Sequence, residues 1–430
     1  MFAQRRQRVI DAIGPDAVAI ILGARLATRS NDTEFPFRQD SDFWYLTGFD
    51  HPDAVAVLRS DGGPAFTLFV QPREPEAETW TGYRPGVEGA LADYGADAAH
   101  PIDALPQELP RCIERARTLH HRLGRDAKID QLIVGTLDGL RRRARQGFEP
   151  ASQIVDPRAT LAELRLFKEP AEIDAMRRAA AITAEAHREA ARLARDGTPE
   201  YELEAVLDCT FRRRGGAGPA YGSIVAGGAN ATVLHYVRNA APLRAGELVL
   251  IDAGAEYQGY ASDVTRTYPV GGRFDATRRA VYEIVLEAQL AGLELCRPGN
   301  TLDAIHEAAL RKLVEGMIGL QLLSGTVDDA IESKSYTPYY MHRTSHWLGL
   351  DVHDAGSYFV DGKPRALEPG MAFTVEPGLY VPTNAASAPE HLRGIGVRIE
   401  DDVVVTATGH ENLNTAVPKR IDEVEALVAG

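Results

Sequence analysis

Short unbroken runs of apolar residues, Val18–Leu22, Ala54–Leu58 and Phe66–Val70, alternate with stretches of helical spacing, Ile102–Leu119 and Gly135–Arg145, over the first third of the chain. Runs of that length suit strands buried on both faces, and their alternation with helices predicts an α/β domain. The pattern changes after Leu166-Phe-Lys-Glu-Pro170, where Ile173, Met176, Ala180, Ile182 and Thr183 form one apolar stripe over Ala171–Arg195. That stripe predicts a long helix opening just behind a proline, whose fixed φ suits a first helical turn. A boundary is therefore placed here, dividing an α+β chain into domains 1–166 and 167–430.

The second domain repeats itself. Arg195-Asp-Gly-Thr-Pro-Glu-Tyr-Glu-Leu-Glu204 resembles Arg297-Pro-Gly-Asn-Thr-Leu-Asp-Ala-Ile-His306, each a glycine turn, a Thr or Asn cap and an amphipathic helix. Leu243-Arg-Ala-Gly-Glu-Leu-Val-Leu-Ile-Asp-Ala-Gly254 aligns without gaps onto Leu367-Glu-Pro-Gly-Met-Ala-Phe-Thr-Val-Glu-Pro-Gly378, which sets Asp252 on Glu376. Two related halves are expected to face each other, their carboxylates converging between them.

Three further features carry chemistry. The strand ending at Asp252 returns through Tyr260–Tyr268, which contains Asp263; a loop of Tyr257 and Gln258 would set Asp252 directly opposite Asp263. Carboxylates on residues whose β-carbons lie ~4.5–5.5 Å apart across a partly buried sheet share a proton or hold a cation, whereas on an exposed edge strand they do neither. The segment from Met341 to Asp354 holds His342, His346 and His353, and histidine is the commonest metal ligand and proton carrier near neutral pH. In Gly396-Val-Arg-Ile-Glu-Asp-Asp402 the alternation puts Arg398 and Glu400 on one face. Asp252, Asp263, Glu376 and Glu400 sum to −4, which balances two divalent ions, and oxygen-rich ligation favours Mn, Mg, Co or Zn over soft metals. Paired ions at such a site support hydrolysis of an unactivated bond.

Composition narrows the partners. Among 430 residues, 44% are hydrophobic and 25% charged, the balance of a folded globular chain. A formal charge of −14 gives no general attraction for phosphate backbones, so nucleic acid is not expected as a partner. Nor is a membrane, because no run reaches the ~18 apolar residues of a spanning helix. Cys112, Cys209 and Cys296 are odd in number and widely spaced, as in a reducing compartment, and a cytoplasmic location follows as the expectation.

The contexts Leu-Ile-Asp252-Ala-Gly, Ser-Asp263-Val-Thr-Arg-Thr, Ser-His346-Trp-Leu-Gly, Val-Glu376-Pro-Gly and Val-Arg-Ile-Glu400-Asp resemble the pita-bread metallopeptidases. Within that group, His342–Asp354 and Phe35-Pro-Phe-Arg-Gln-Asp-Ser-Asp-Phe-Trp-Tyr-Leu-Thr-Gly-Phe49 are similar to the Xaa-Pro aminopeptidases, or aminopeptidases P. The second segment extends the likeness into the first domain, which methionine aminopeptidase lacks. The resemblance implies an N-terminal α/β domain of the creatinase and aminopeptidase P type, then a pita-bread domain with a pseudo-twofold repeat.

It further implies two divalent ions, manganese first and cobalt or zinc as substitutes. Asp252 and Asp263 would hold one ion, His346 and Glu376 the other, with Asp263 and Glu400 bridging both. A bridging hydroxide would attack the bond before a proline in second position, Glu376 would relay its proton, and His353 would stabilise the oxyanion. His235 matches a further active-site histidine, while His342, Tyr380 and Arg398 correspond to the proline pocket. The first domain would wall off longer N-terminal extensions in a homo-oligomer, dimer or tetramer, with Trp80 and Asp42 as candidates. Prolidase shares this ligand set but needs a cation such as Arg398 or Arg365 for the dipeptide carboxylate. Creatine amidinohydrolase shares the layout without metal, and a non-catalytic binding protein of this fold is the alternative from another class.

Overall fold

The three apolar runs near the start of the chain become adjacent strands in the computed structural model, which describes Met1–Gly430 throughout. Ala17–Leu22 pairs antiparallel with Val55–Arg59, which pairs antiparallel with Phe66–Val70. Ala98–Pro101, Thr118–His121 and Gln153–Val155 complete a six-stranded mixed sheet. One of its two central strands, Ala17–Leu22, is buried along its whole length, as the unbroken apolar run requires.

Two helix expectations shift. The stretch Ile102–Leu119 is α-helical only over Leu105–Ile113, behind a 3-10 turn at Ile102–Ala104, and Thr118 and Leu119 belong to a strand parallel to Ala17–Leu22. Leu119 is apolar in either state, so its spacing could not separate the two, and the sheet's need for a partner decides. The helix expected at Gly135–Arg145 runs instead from Ala127 to Arg142, because the Asp126 carboxylate accepts from the backbone N–H of Lys128 and Ile129 and caps it eight residues earlier.

The chain divides into two compact units, Met1–Arg165 and Leu166–Gly430. In the second, the helix predicted over Ala171–Arg195 spans Pro170–Ala191, closed at its start by a reciprocal capping box of Glu169 and Glu172. Two helix pairs, Pro170–Ala191 with Glu200–Arg213 and Ala276–Leu293 with Leu302–Gly319, pack over strands through a shared core that includes Phe211, Tyr268, Tyr282, Leu313 and Val397. No helix is long and apolar enough to cross a membrane.

The repeat is visible in the backbone. Gly197 donates to the Leu243 carbonyl and Leu243 to that of Thr198; in the second half Gly299 donates to Leu367 and Leu367 to Asn300. Gly246 and Gly370, equivalent in the alignment, both take left-handed φ, +82° and +92°, which their turns demand and glycine supplies without strain. Strands Leu248–Asp252 and Ala372–Val375 follow each turn at the same spacing. The caps are less alike. Thr301 accepts from Ala304 N–H, but the equivalent helix starts behind Pro199 with no side-chain cap.

One buried histidine makes this half sensitive to acid. His187 is fully buried, 2.9 Å through Nε2 from the Ala253 carbonyl and 3.3 Å through Nδ1 from the Tyr268 hydroxyl, and burial pulls its pKa down to about 4. Below pH 6.5 the unfolded chain takes up a proton that the folded one refuses, so stability falls as pH drops from 6.5 towards 4. Urea unfolding of metal-free protein should show about 2 kcal/mol lost between pH 7 and pH 5 from this residue, at about 1.4 kcal/mol per pH unit. The His187→Gln variant should have a correspondingly shallower pH slope; an unchanged slope would assign the effect elsewhere.

Candidate active site

Both repeats end a buried strand on a carboxylate. Asp252 closes Leu248–Asp252 and Glu376 follows Ala372–Val375, so each backbone is fixed by the ladder beneath it. The hairpin register differs from the expectation. Tyr257 pairs with Tyr260 and Glu256 with Ala261, so the loop residues are Gln258 and Gly259, at φ +50° and +82°. Asp252 then faces Thr265, not Asp263. Positive φ at both loop positions is the signature of the primed turns that match strand twist, and the Gln-Gly dipeptide was the available signal.

Asp263 still reaches Asp252, because its strand is interrupted at Ser262–Val264 and crowds the opposite chain. A β-carbon on Gly254 would overlap the Ser262 carbonyl, which only glycine avoids. The Tyr221 hydroxyl lies 2.6 Å from Asp252 Oδ1 and 2.5 Å from Asp263 Oδ1. A phenol has one proton, so these two oxygens share a single donor.

The remaining groups close around this pair. Asp263, His346 and Glu400 offer ligand atoms all within 4.8 Å of one another. His346 Nε2 is 3.4 Å from Asp263 Oδ2 and 3.5 Å from Glu376 Oε1. Its chain is held beside the strand Ala372–Val375, with Thr374 N–H donating to the His346 carbonyl and Glu376 N–H to that of Thr344. Glu400 Oε2 accepts from Thr265 Oγ1 at 2.6 Å, linking the second half to the first.

Arg398 runs beneath these carboxylates, almost fully buried, with Nη2 at 2.5 Å from Asp252 Oδ2, Nη1 at 3.0 Å from the Tyr380 hydroxyl and Nε at 3.0 Å from Thr265 Oγ1. His342 Nε2 stands 2.9 Å from the same Tyr380 hydroxyl. Tyr380 is therefore behind Arg398 and His342 and does not line the cavity.

All the other expected site residues open on one cavity of about 1090 Å³: His235, Asp252, Asp263, His342, His346, His353, Glu376, Arg398 and Glu400, with Arg365 at its wall. The His353 ring lies 4.4 Å from that of His346. Asp42 and Trp80 belong to the first unit, where Asp42 pairs with Arg165 at 2.7 Å and Trp80 is 88% exposed. Tyr221 and Asp303, which pairs with Arg343 at the rim, were not anticipated, since nothing in their local spacing marks them; Thr265, Arg343 and Ser345 lie in the segments singled out around Asp263 and His346 but carry no role in that reading.

The electrostatics show what the cavity lacks. Burial pushes the Glu400 carboxyl well above the carboxylate range, and Asp263, Glu376 and Asp252 add to it; burial likewise lifts Glu376 to about 7 against the pull of His346 and Arg398. His346 is driven up to about 9 although burial opposes it, because Asp263 and Glu376 favour its charged form. Burial and Arg398 push His342 down to about 4. The buried Asp252, Asp263 and Glu400 and the half-buried Glu376 form a hard, oxygen-rich donor set that is short of positive charge and of the kind that suits divalent cations.

A family model described as metallopeptidase family M24 matches residues 174–407, and one described as the aminopeptidase P N-terminal domain matches residues 2–120. The chain belongs to metallopeptidase family M24. As a metallopeptidase it is a hydrolase, with the two-domain architecture of that N-terminal domain followed by a pita-bread domain. It is 44% identical over 99% of its length to the Xaa-Pro aminopeptidase of Escherichia coli, covering 97% of that protein. The aminopeptidase PepP of Pseudomonas aeruginosa superposes with a TM-score of 0.97 at 45% identity, over 100% of this metallopeptidase and 97% of that chain. Zinc-substituted E. coli aminopeptidase P, solved with product, matches at 0.96 and 44% identity, over 99% and 97% of the two chains.

Proposed function

We propose that this metallopeptidase removes the first residue from peptides whose second residue is proline. The observation that carries it is the convergence of three buried carboxylates, the half-buried Glu376 and His346 in one peptide-sized cavity, in a chain so similar to the Xaa-Pro aminopeptidases. Two divalent ions, manganese first, would be held by Asp252 and Asp263 on one side and His346 and Glu376 on the other, with Asp263 and Glu400 shared. When bound, such a pair would supply Lewis-acid polarisation and make a water there acidic enough to act as a nucleophile near neutral pH.

The chain's own residues do the rest. Glu376 takes up the proton of the attacking water at its carboxylate. His353, on the exposed side of His346, donates to the oxyanion that forms on the scissile carbonyl. His235, at the cavity wall, delivers the proton that proline's secondary nitrogen needs to leave. His342 and Arg398, braced from behind by Tyr380, present a wall to the proline ring, which has no N–H to donate. The His353→Ala variant should lose about 10²–10³ in kcat, the scale of a lost oxyanion donor, while retaining both ions by metal analysis. Loss of metal would make His353 a ligand instead.

The exposed Trp80 supports a wall contributed by the first domain of a neighbouring copy, in a dimer or tetramer, and three unpaired thiols support a cytoplasmic location. The test is mass spectrometry of an Xaa-Pro-Yaa tripeptide and an Xaa-Pro dipeptide, incubated with the protein in Mn²⁺ or in excess chelator. Release of the first residue from the tripeptide in Mn²⁺ alone is expected. Cleavage of the dipeptide only would make the protein a prolidase, and cleavage of neither would leave a binding protein.

A further inference from the structure

Three consecutive carboxylates, Glu400, Asp401 and Asp402, lead into the strand Asp401–Val405, and the alternation of extended chain sends neighbours to opposite faces. Asp401 turns away from the cavity into a buried cluster with Arg266, Lys419, Gln289 and Asn412. Asp402 lies on the same face as Glu400, is 1% exposed and does not line the cavity. Every hydrogen-bond partner of its carboxylate is a donor. Asp263 N–H lies 3.1 Å from both oxygens, Ser262 Oγ 2.8 Å from Oδ2 and Asn414 Nδ2 3.3 Å from Oδ2, while the Asp402 backbone N–H donates in return to Asn414 Oδ1.

The placement has a structural cause. Asp263 sits in the interruption between strands Tyr260–Ala261 and Thr265–Pro269, so its N–H has no ladder partner in the hairpin. Asp402 supplies that acceptor from the other half of the repeat. It fixes the backbone of Asp263, and with it the direction of the Asp263 carboxylate, without touching the cavity itself.

We propose that Asp402 is a positioning residue that holds Asp263 in the geometry needed to bind cations. This rests on Asp263 being a metal ligand, and outer partners that orient ligands typically contribute about 10–100-fold to metal affinity. The Asp402→Asn variant keeps the shape but turns one acceptor oxygen into a donor NH₂ facing donors. Titration calorimetry of Mn²⁺ into the metal-free full-length protein should show affinity weakened by about 10–100-fold, with activity recovering at high Mn²⁺ because Asp402 does not touch the reacting atoms. Ser262→Ala, which removes the shortest donor to this carboxylate, should weaken affinity in the same direction by about threefold, scaled down from that outer-partner range. It decides the matter alone if Asp402→Asn does not fold. Variants that melt at lower temperature yet bind Mn²⁺ with wild-type affinity would overturn the proposal by showing a purely structural role. A wild-type protein that binds no Mn²⁺ would count instead against Asp263 as a ligand.

Discussion

Replacing Glu400 by Gln is expected to lower Xaa-Pro hydrolysis by at least about 10³-fold, more than the ~10–100-fold typical when only an outer partner of a ligand is lost. Ligand atoms of Glu400 stand within 4.8 Å of those of both Asp263 and His346, one from each half of the repeat, so its loss removes an oxygen that faces both halves. The substitution should leave the metal-free fold intact. Burial, together with Asp263, Glu376 and Asp252, already drives the Glu400 carboxyl towards its neutral form, and Gln imitates a neutral acid in its contact with Thr265 Oγ1. What disappears is the stabilisation that a ligand confers by binding only the folded state. Thermal unfolding with and without Mn²⁺, beside metal counting, separates the two. Near-wild-type turnover with two bound ions would exclude a shared role for Glu400.

Arg398→Met should have the opposite signature. In metal-free protein it removes the cation paired with Asp252 at 2.5 Å and the donor to Tyr380 and Thr265, with Arg398 and Asp252 both almost fully buried. Breaking a buried pair on one side costs about 3–5 kcal/mol, because the surviving charge is left without a partner. Cations in the cavity would neutralise that same carboxylate, so excess Mn²⁺ should recover half or more of the loss. Urea unfolding in chelator and in Mn²⁺ measures both. An equal loss under the two conditions would mean that Asp252 is not near a bound ion.

The outline of this site was legible because its parts are local. Asp252 and Glu376 each end an apolar run behind a glycine turn, and a strand needs little beyond its own sequence to place the residue at its tip. The repeat was legible for the same reason, since both halves spell the same turn and strand. The hairpin register was legible in principle: Gln258-Gly259 marks the loop, whereas a loop of Tyr257 and Gln258 would move the partner of Asp252 by two residues, from Thr265 to Asp263.

Other features could not be read from spacing. Tyr221 lies 31 and 42 residues from the two aspartates that share its hydroxyl, and Asp402 lies 139 residues from the Asp263 N–H that it accepts. Tyr380 and Arg398 were expected at the pocket wall, yet only the packing shows that the tyrosine stands behind the arginine. By itself the sequence determined which carboxylates and histidines end which strands and turns, because those positions follow from local backbone geometry. The tertiary structure alone decided which of them share a proton, which are neutralised by Arg398 and which are held by a residue from the opposite half. Those outcomes depend on distances of a few ångströms between segments far apart in the chain, and on the loss of water that makes each unpaired charge costly.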